Sequence, residues 1–266
     1  MIVFKRFLRD RQRSTVWWSA GMVGLVVFTV AFWPTVRGQS SFDQVLKDMP
    51  EAMRATFGID TAVSIGSAPG YLQGRVFATM LPVLLIIDAI GLAAAALAGS
   101  EHDGTLELIL ASPISRRRLI TERGLAALVM LAAPALAVAL ALLVLGAPVG
   151  LLEDVSIAGL AGATLAAFTL ALLFGAIAFA IGAASGRRSV AVSASAGLAA
   201  GTYLLQGLLT AAHAPAVAIN LTPWHWYLDH NMLIDGVAID ALVLPLLVGG
   251  GALAVGAPRF VTRDLI

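Results

Sequence analysis

Glu101, Asp103, Glu107, Arg116, Arg117, Arg118, Glu122 and Arg123 put eight formal charges into residues 99–123, GSEHDGTLELILASPISRRRLITER, between two nearly charge-free apolar runs. Each charge would cost about 2.5–3.5 kcal/mol at the centre of a bilayer, so this segment stays out of hydrocarbon. Leu106, Leu108, Ile109 and Leu110 interrupt the charges and make one side apolar. Such a pattern suits docking, with an apolar face to bury and a charged rim to set register. Ser100 or Asp103 can cap a helix start, and Glu101 and Glu107 favour its early turns through the helix dipole. Pro113 ends that helix, and Ser115 can cap the next one, whose first turn carries the arginine triplet. The expected result is helix, kink, helix: a short lever joined to an apolar run on either side.

Other chemistries find little footing. A phosphate-binding Walker loop needs a Gly-Lys step, and neither Lys5 nor Lys47 follows a glycine. The chain has no His-Glu-x-x-His pair, no G-x-S-x-G elbow and no cysteine, so disulfides, thiol catalysis and Cys-ligated metals are excluded. In HWYLDH, His225, Asp229 and His230 could hold a metal. The favoured reading is an aromatic belt of Trp224, Trp226 and Tyr227 at the outer surface, with no metal. Asp88 is the one acid deep inside an apolar run. An intramembrane carboxylate is a functional candidate. It could meet a substrate cation, carry a proton, or bond Thr169, Tyr203 or Gln206. Asp88, Tyr203 and Gln206 are the groups expected nearest a substrate path.

The elements that position these residues follow from composition. The 266 residues are 59% hydrophobic and 12% charged, against about 25% charged in a water-soluble domain. Apolar runs long enough to cross about 30 Å of hydrocarbon predict six helical spans, at 16–36, 76–98, 125–145, 157–184, 190–209 and 237–257. Thirteen basic residues lie in 5–13, 116–123, 187–188 and 259–263, against four in the opposite connections. The positive-inside rule therefore puts both termini and the 99–123 segment in the cytoplasm, with 37–75 and 210–236 outside. MIVFKRFLRDRQR, residues 1–13, reads as a basic amphipathic helix at the headgroup level. Apolar residues at helical spacing in 42–57 predict a further short helix pair on the outer face. Gly91/Ala95/Gly99, Ala178/Gly182/Gly186 and Gly197/Gly201 recur at the spacing that lets helices approach closely. Fifteen arginines against two lysines, with heavy Ala, Gly, Val and Leu use, suggest a GC-rich bacterial host.

The lever carries a family resemblance. Glu101, the run Gly104, Thr105, Leu106, Glu107, Leu108, then Pro113, Ser115 and Arg116, resemble the cytoplasmic loop of type-2 ATP-binding-cassette (ABC) export permeases. More loosely, the resemblance extends to the amino-terminal elbow, the six spans and a re-entrant-looking segment between spans five and six. It implies an all-α integral membrane permease, one domain over 1–266, with an elbow helix at 1–13 and a coupling helix between spans two and three. That coupling helix would dock on a separate ATPase subunit, present in two copies, beside a second permease chain, the same or different. Leu106, Leu108, Ile109 and Leu110 would supply the docking surface. Glu101, Asp103, Glu107, Arg116, Arg117 and Arg118 would supply its charged rim, with Phe4, Phe7 and Arg9 as a second contact. ATP and Mg would sit on the ATPase and no cofactor on this chain, a non-catalytic subunit of the bacterial cytoplasmic membrane. The export substrate (drug, antibiotic, lipid or similar) is not encoded in any motif. The alternatives are an ion-gradient transporter using Asp88, or a membrane scaffold without transport.

Overall fold

A computed structural model of the protein describes residues 2–39, 49–50, 53, 63–64, 66–97 and 115–262. The described residues are helical, and six helices are long and apolar enough to cross a membrane: Val3–Val36, Ala68–Ala96, Arg116–Val149, Ile157–Ser185, Arg188–Ala211 and Ile239–Phe260. All six expected spans are present. Three start well before the expected residue, at Val3, Ala68 and Arg116 rather than at 16, 76 and 125, because the helices run on through basic residues at these ends. The outer helix pair expected over 42–57 lies outside the described residues apart from Met49, Pro50 and Met53.

The elbow expected at 1–13 is not a separate helix. Ile2–Val36 is one continuous helix, and the basic residues form its first turns. No glycine or proline occurs before Gly21, so nothing in the sequence breaks it. Val3 and Phe7 are buried near its start, and Met22, Val26, Val30 and Trp33 line its buried stripe further along. That stripe faces the third span, its main neighbour.

The fourth span is the centre. It packs most extensively on the sixth and second, then on the fifth and third. Two-thirds of the second and fourth spans' most apolar windows are buried, against about a fifth in the first, fifth and sixth. In lipid, apolar side chains gain little by leaving one hydrocarbon for another, so helices associate through close fit. Glycine supplies it here. Ideal Cβ atoms at Gly249 and Gly256 would lie 3.3 and 2.4 Å from the Cβ atoms of Ala176 and Ala180, and one at Gly175 would lie 3.2 Å from that of Ala89. Three glycines of the expected small-residue runs are not contact points among the described residues. Gly91, Gly197 and Gly201 meet nothing within 4 Å among the described residues.

Prolines break the backbone ladder, and side chains repair it. Pro245 has no N–H for the Ala241 carbonyl four residues earlier, and the Thr169 hydroxyl lies 3.4 Å from that carbonyl. Pro82 likewise cannot donate to Ala78. Just before it the second span widens into a π-turn, Gln73–Phe77, with Ala78 N donating to Gln73 O at 2.7 Å. The Tyr227 hydroxyl donates to the Phe77 carbonyl at 2.5 Å. Tyr227 belongs to Pro223–Leu228, one of three short helices between spans five and six. Burial raises its phenol pKa well above the ordinary value.

Gly256→Leu should force the fourth and sixth spans apart, costing about 1–3 kcal/mol and lowering the melting temperature in detergent. Gly24→Ala, where a methyl meets nothing within 4 Å, should leave that temperature unchanged or slightly higher.

Candidate functional site

The described end of the charged 99–123 segment, residues 115–123, forms the start of the third span. Ser115 caps that helix with extended backbone, φ −69° and ψ 145°, its hydroxyl accepting from Arg118 N at 3.3 Å. Leu119 then faces inward, fully buried, and brings the flanking charged residues against neighbouring helices. Arg118 Nε donates to Glu122 Oε1 at 2.7 Å. The other oxygen of Glu122 accepts from the backbone N of Phe4 at 3.1 Å, which fixes the start of the first span. Arg123 Nη1 donates to the Ala96 carbonyl at 2.5 Å, at the end of the second span. Arg116 Nη1 reaches the Phe260 carbonyl of the sixth span at 3.4 Å.

These contacts share one logic. The last carbonyls of a helix have no intrahelical donor and carry the negative end of its dipole. Ala96 and Phe260 are such carbonyls, and each receives an arginine. Glu122 and Arg123 are 7% and 6% exposed, so their charges are stabilised by these partners rather than by open water. One helix base thus ties together the ends of the first, second and sixth spans. It also ties the two stems of the lever, Ala96 and Arg123, to each other.

The lever itself is not described. Glu101, Asp103, Gly104, Thr105, Leu106, Glu107, Leu108, Ile109, Leu110 and Pro113 all lie outside the described residues. Within the triplet, Arg116 and Arg118 reach partners inside the chain, while Arg117 is exposed with no hydrogen-bonded partner for its guanidinium among the described residues. Phe7 is 7% exposed and belongs to the chain's own core, Phe4 is half-buried, and Arg9 is exposed.

The expected path residues are not brought together. Asp88 is 4% exposed, and its Oδ2 has no hydrogen-bond partner among the described residues. Thr169 is occupied with Ala166 and Ala241. Gln206 is hydrogen-bonded to Thr222 and Thr210. The Tyr203 ring packs edge-on against Trp224, centroids 4.7 Å apart. Asp88 lies about 12 Å along its helix from Ala96, and Tyr203 about 22 Å along its own from Arg188, at 1.5 Å per residue. Tyr203 and Gln206, on the fifth span, therefore pack on the plug formed by the short helices between spans five and six, and Asp88 stands apart from them.

HWYLDH is part of that plug. Trp224 and Tyr227 are buried, with Trp224 Nε1 donating to Ala199 O at 3.0 Å, so two of the three belt aromatics are structural. His230 pairs with Asp240 at 2.9 Å and His225 with Asp229 at 3.7 Å. No group of three metal-ligating side chains occurs among the described residues.

The clamp of Glu122 and Arg123 escaped the sequence reading, which counted them only as charges. The i,i+4 spacing of Arg118 and Glu122 was its one local signal. Arg123→Met should remove the bond to Ala96 and leave the helices assembled. Amide exchange at 93–97 and 119–123 should rise, while unfolding stays a single cooperative transition.

The family described as "ABC-2 family transporter protein" matches residues 1–254, nearly the whole chain. No curated protein sequence matches it. Six apolar spans, a charged segment slung between the second and third, and this match over 1–254 agree: the chain belongs to the ABC-2 family of ABC transporter permeases, and it is a multi-pass membrane protein.

Proposed function

We propose that this chain is the membrane-spanning half of an ATP-driven exporter in a bacterial cytoplasmic membrane. A separate ATPase subunit, in two copies, docks on the 99–123 lever, with Leu106, Leu108, Ile109 and Leu110 in its groove. Glu101, Asp103 and Glu107 pair with charges at the rim. Arg9 at the start of the first helix adds a second contact, with the half-buried Phe4 beside it. ATP and Mg belong to the ATPase, and the translocation path forms with a second permease chain. Both termini lie in the cytoplasm, as the thirteen-to-four distribution of basic residues favours.

The observation that carries this reading is the bond from Arg123 to the Ala96 carbonyl. It joins the two stems of the lever, so a push on the lever reaches the second and third spans together. Bistable packing of rigid helices is how such a local push becomes a switch. An amphipathic helix laid in a groove is a general way to attach the subunit that pushes.

Purification from the native host in mild detergent should bring down an ATPase with the chain. The double substitution Glu101→Lys, Glu107→Lys should remove that ATPase while leaving the permease monodisperse. Unchanged recovery of the ATPase would overturn the docking assignment. The unpartnered oxygen of Asp88 keeps the ion-gradient reading alive. Asp88→Asn should leave ATP-dependent transport largely intact under the exporter reading, and should abolish transport under the ion-coupled one.

A further inference from the structure

A cavity of about 490 Å³ opens at the arginine-rich end, between the second, third, fourth and sixth spans. Its volume falls within the roughly 300–1,000 Å³ of small-molecule sites. Ala93, Thr121, Gly124, Leu131, Phe179 and Gly250 are among its lining residues, and Asp88, Tyr203 and Gln206 are not. The cavity exists because the sixth span is drawn onto the fourth at Gly249 and Gly256, which leaves it little contact with the third. Gly250 deepens it, since a Cβ there would meet nothing within 4 Å.

The lining dictates the occupant. Thr121 supplies the one polar side chain in it, and that hydroxyl is already turned back to the carbonyls of Arg117 and Arg118, at 3.2 and 3.1 Å. Nothing else is offered to a hydrogen-bonding ligand. Water does not fill such a space either, because a buried water needs two to four polar partners. Hydrocarbon does. Along the third span the lining runs from Ile120 to Leu131. At 1.5 Å per residue that is about 16 Å, close to half of the roughly 30 Å hydrocarbon core and hence to one leaflet.

Charge sits where such a chain would carry its headgroup. Arg117 is one turn below Thr121, exposed, with no partner for its guanidinium among the described residues. Exposed Arg259 lies two residues beyond Ala257, another lining residue. Basic pockets between spans at the headgroup level attract anionic lipid. We propose that this cavity holds an acyl chain of an anionic phospholipid, with its phosphate at Arg117. This assignment does not depend on the ATPase reading, because it uses only the described bundle.

The test is photocrosslinking of the full chain in vesicles of equal parts phosphatidylglycerol and phosphatidylcholine, with the photoactivatable group on the tail of one lipid at a time. The phosphatidylglycerol probe should label peptides spanning 120–131 and 246–257 more strongly than the phosphatidylcholine probe. Gly250→Leu and Leu128→Trp each fill the cavity from a different span, and each should lower that labelling about tenfold without changing monodispersity. Arg117→Glu should lower the phosphatidylglycerol labelling about fivefold and leave the phosphatidylcholine labelling unchanged. Labelling that survives either cavity-filling variant would overturn the site. Equal labelling by the two lipids, or indifference to Arg117→Glu, would overturn the anionic headgroup.

Discussion

The close approach of the fourth span to its neighbours is the constraint on which the rest of this structure hangs. Membrane helices cannot rely on expelling water from between them, so surface fit and dispersion must hold them. Ala176 and Ala180 admit the sixth span at Gly249 and Gly256, and Gly175 admits the second at Ala89. Once those three seams are fixed, the positions of the outer spans follow. The first leans on the third, outside the central group. The opening between the third and sixth is what remains after the sixth is drawn to the fourth. The seams therefore account for both the rigidity of the centre and the empty volume beside it.

A second constraint is that no backbone group in hydrocarbon can be left to water. The carbonyl that Pro245 strands is met from another span, and two further side-chain bonds land one position before the carbonyls that Pro82 and Pro34 strand. Thr169 reaches Ala241 across the fourth and sixth spans, and Tyr227 reaches Phe77 from the outer plug. Tyr71 similarly donates to Thr29 O at 2.9 Å, one position before the carbonyl that Pro34 deprives of its donor. These bonds hold neighbouring elements in register. The aromatics of HWYLDH serve the same end, which is why burial rather than an interfacial belt describes Trp224 and Tyr227.

The spans were legible because apolar length is a strong signal, and Ser115 was legible because a cap is local. Failure began where the sequence had to say which faces meet. Gly91, Gly197 and Gly201 have the right spacing on faces that touch nothing described, while Gly249 and Gly256, seven apart, make the contact. Thr169 looked like a partner for Asp88, but its partner is a carbonyl stranded by a proline on another helix. The elbow was drawn as separate because a change of composition suggests a boundary, yet a helix persists through such a change when no residue breaks it. Glu122 and Arg123 could not be assigned from spacing, since their partners lie 118 and 27 residues away in sequence.

The clamp and the proline repairs together decide where the second span can give way. At its arginine-rich end it is held by Arg123, and next to Asp88 it is seated on Gly175 through Ala89. Between those points the helix is regular, and a regular helix transmits displacement along its axis without bending much. Beyond Pro82 the regularity ends. The π-turn at 73–77 and the turn at 78–79 have lost ladder bonds, and the missing stiffness is made up by a single phenol hydroxyl from the plug. The second span is therefore regular from Ala96 to the Ala89 seam and irregular at the π-turn. Tyr227 bridges that turn to the short helix Pro223–Leu228. Tyr203 and Gln206, which pack on Trp224 and Thr222, are tied to the same short helices rather than to Asp88.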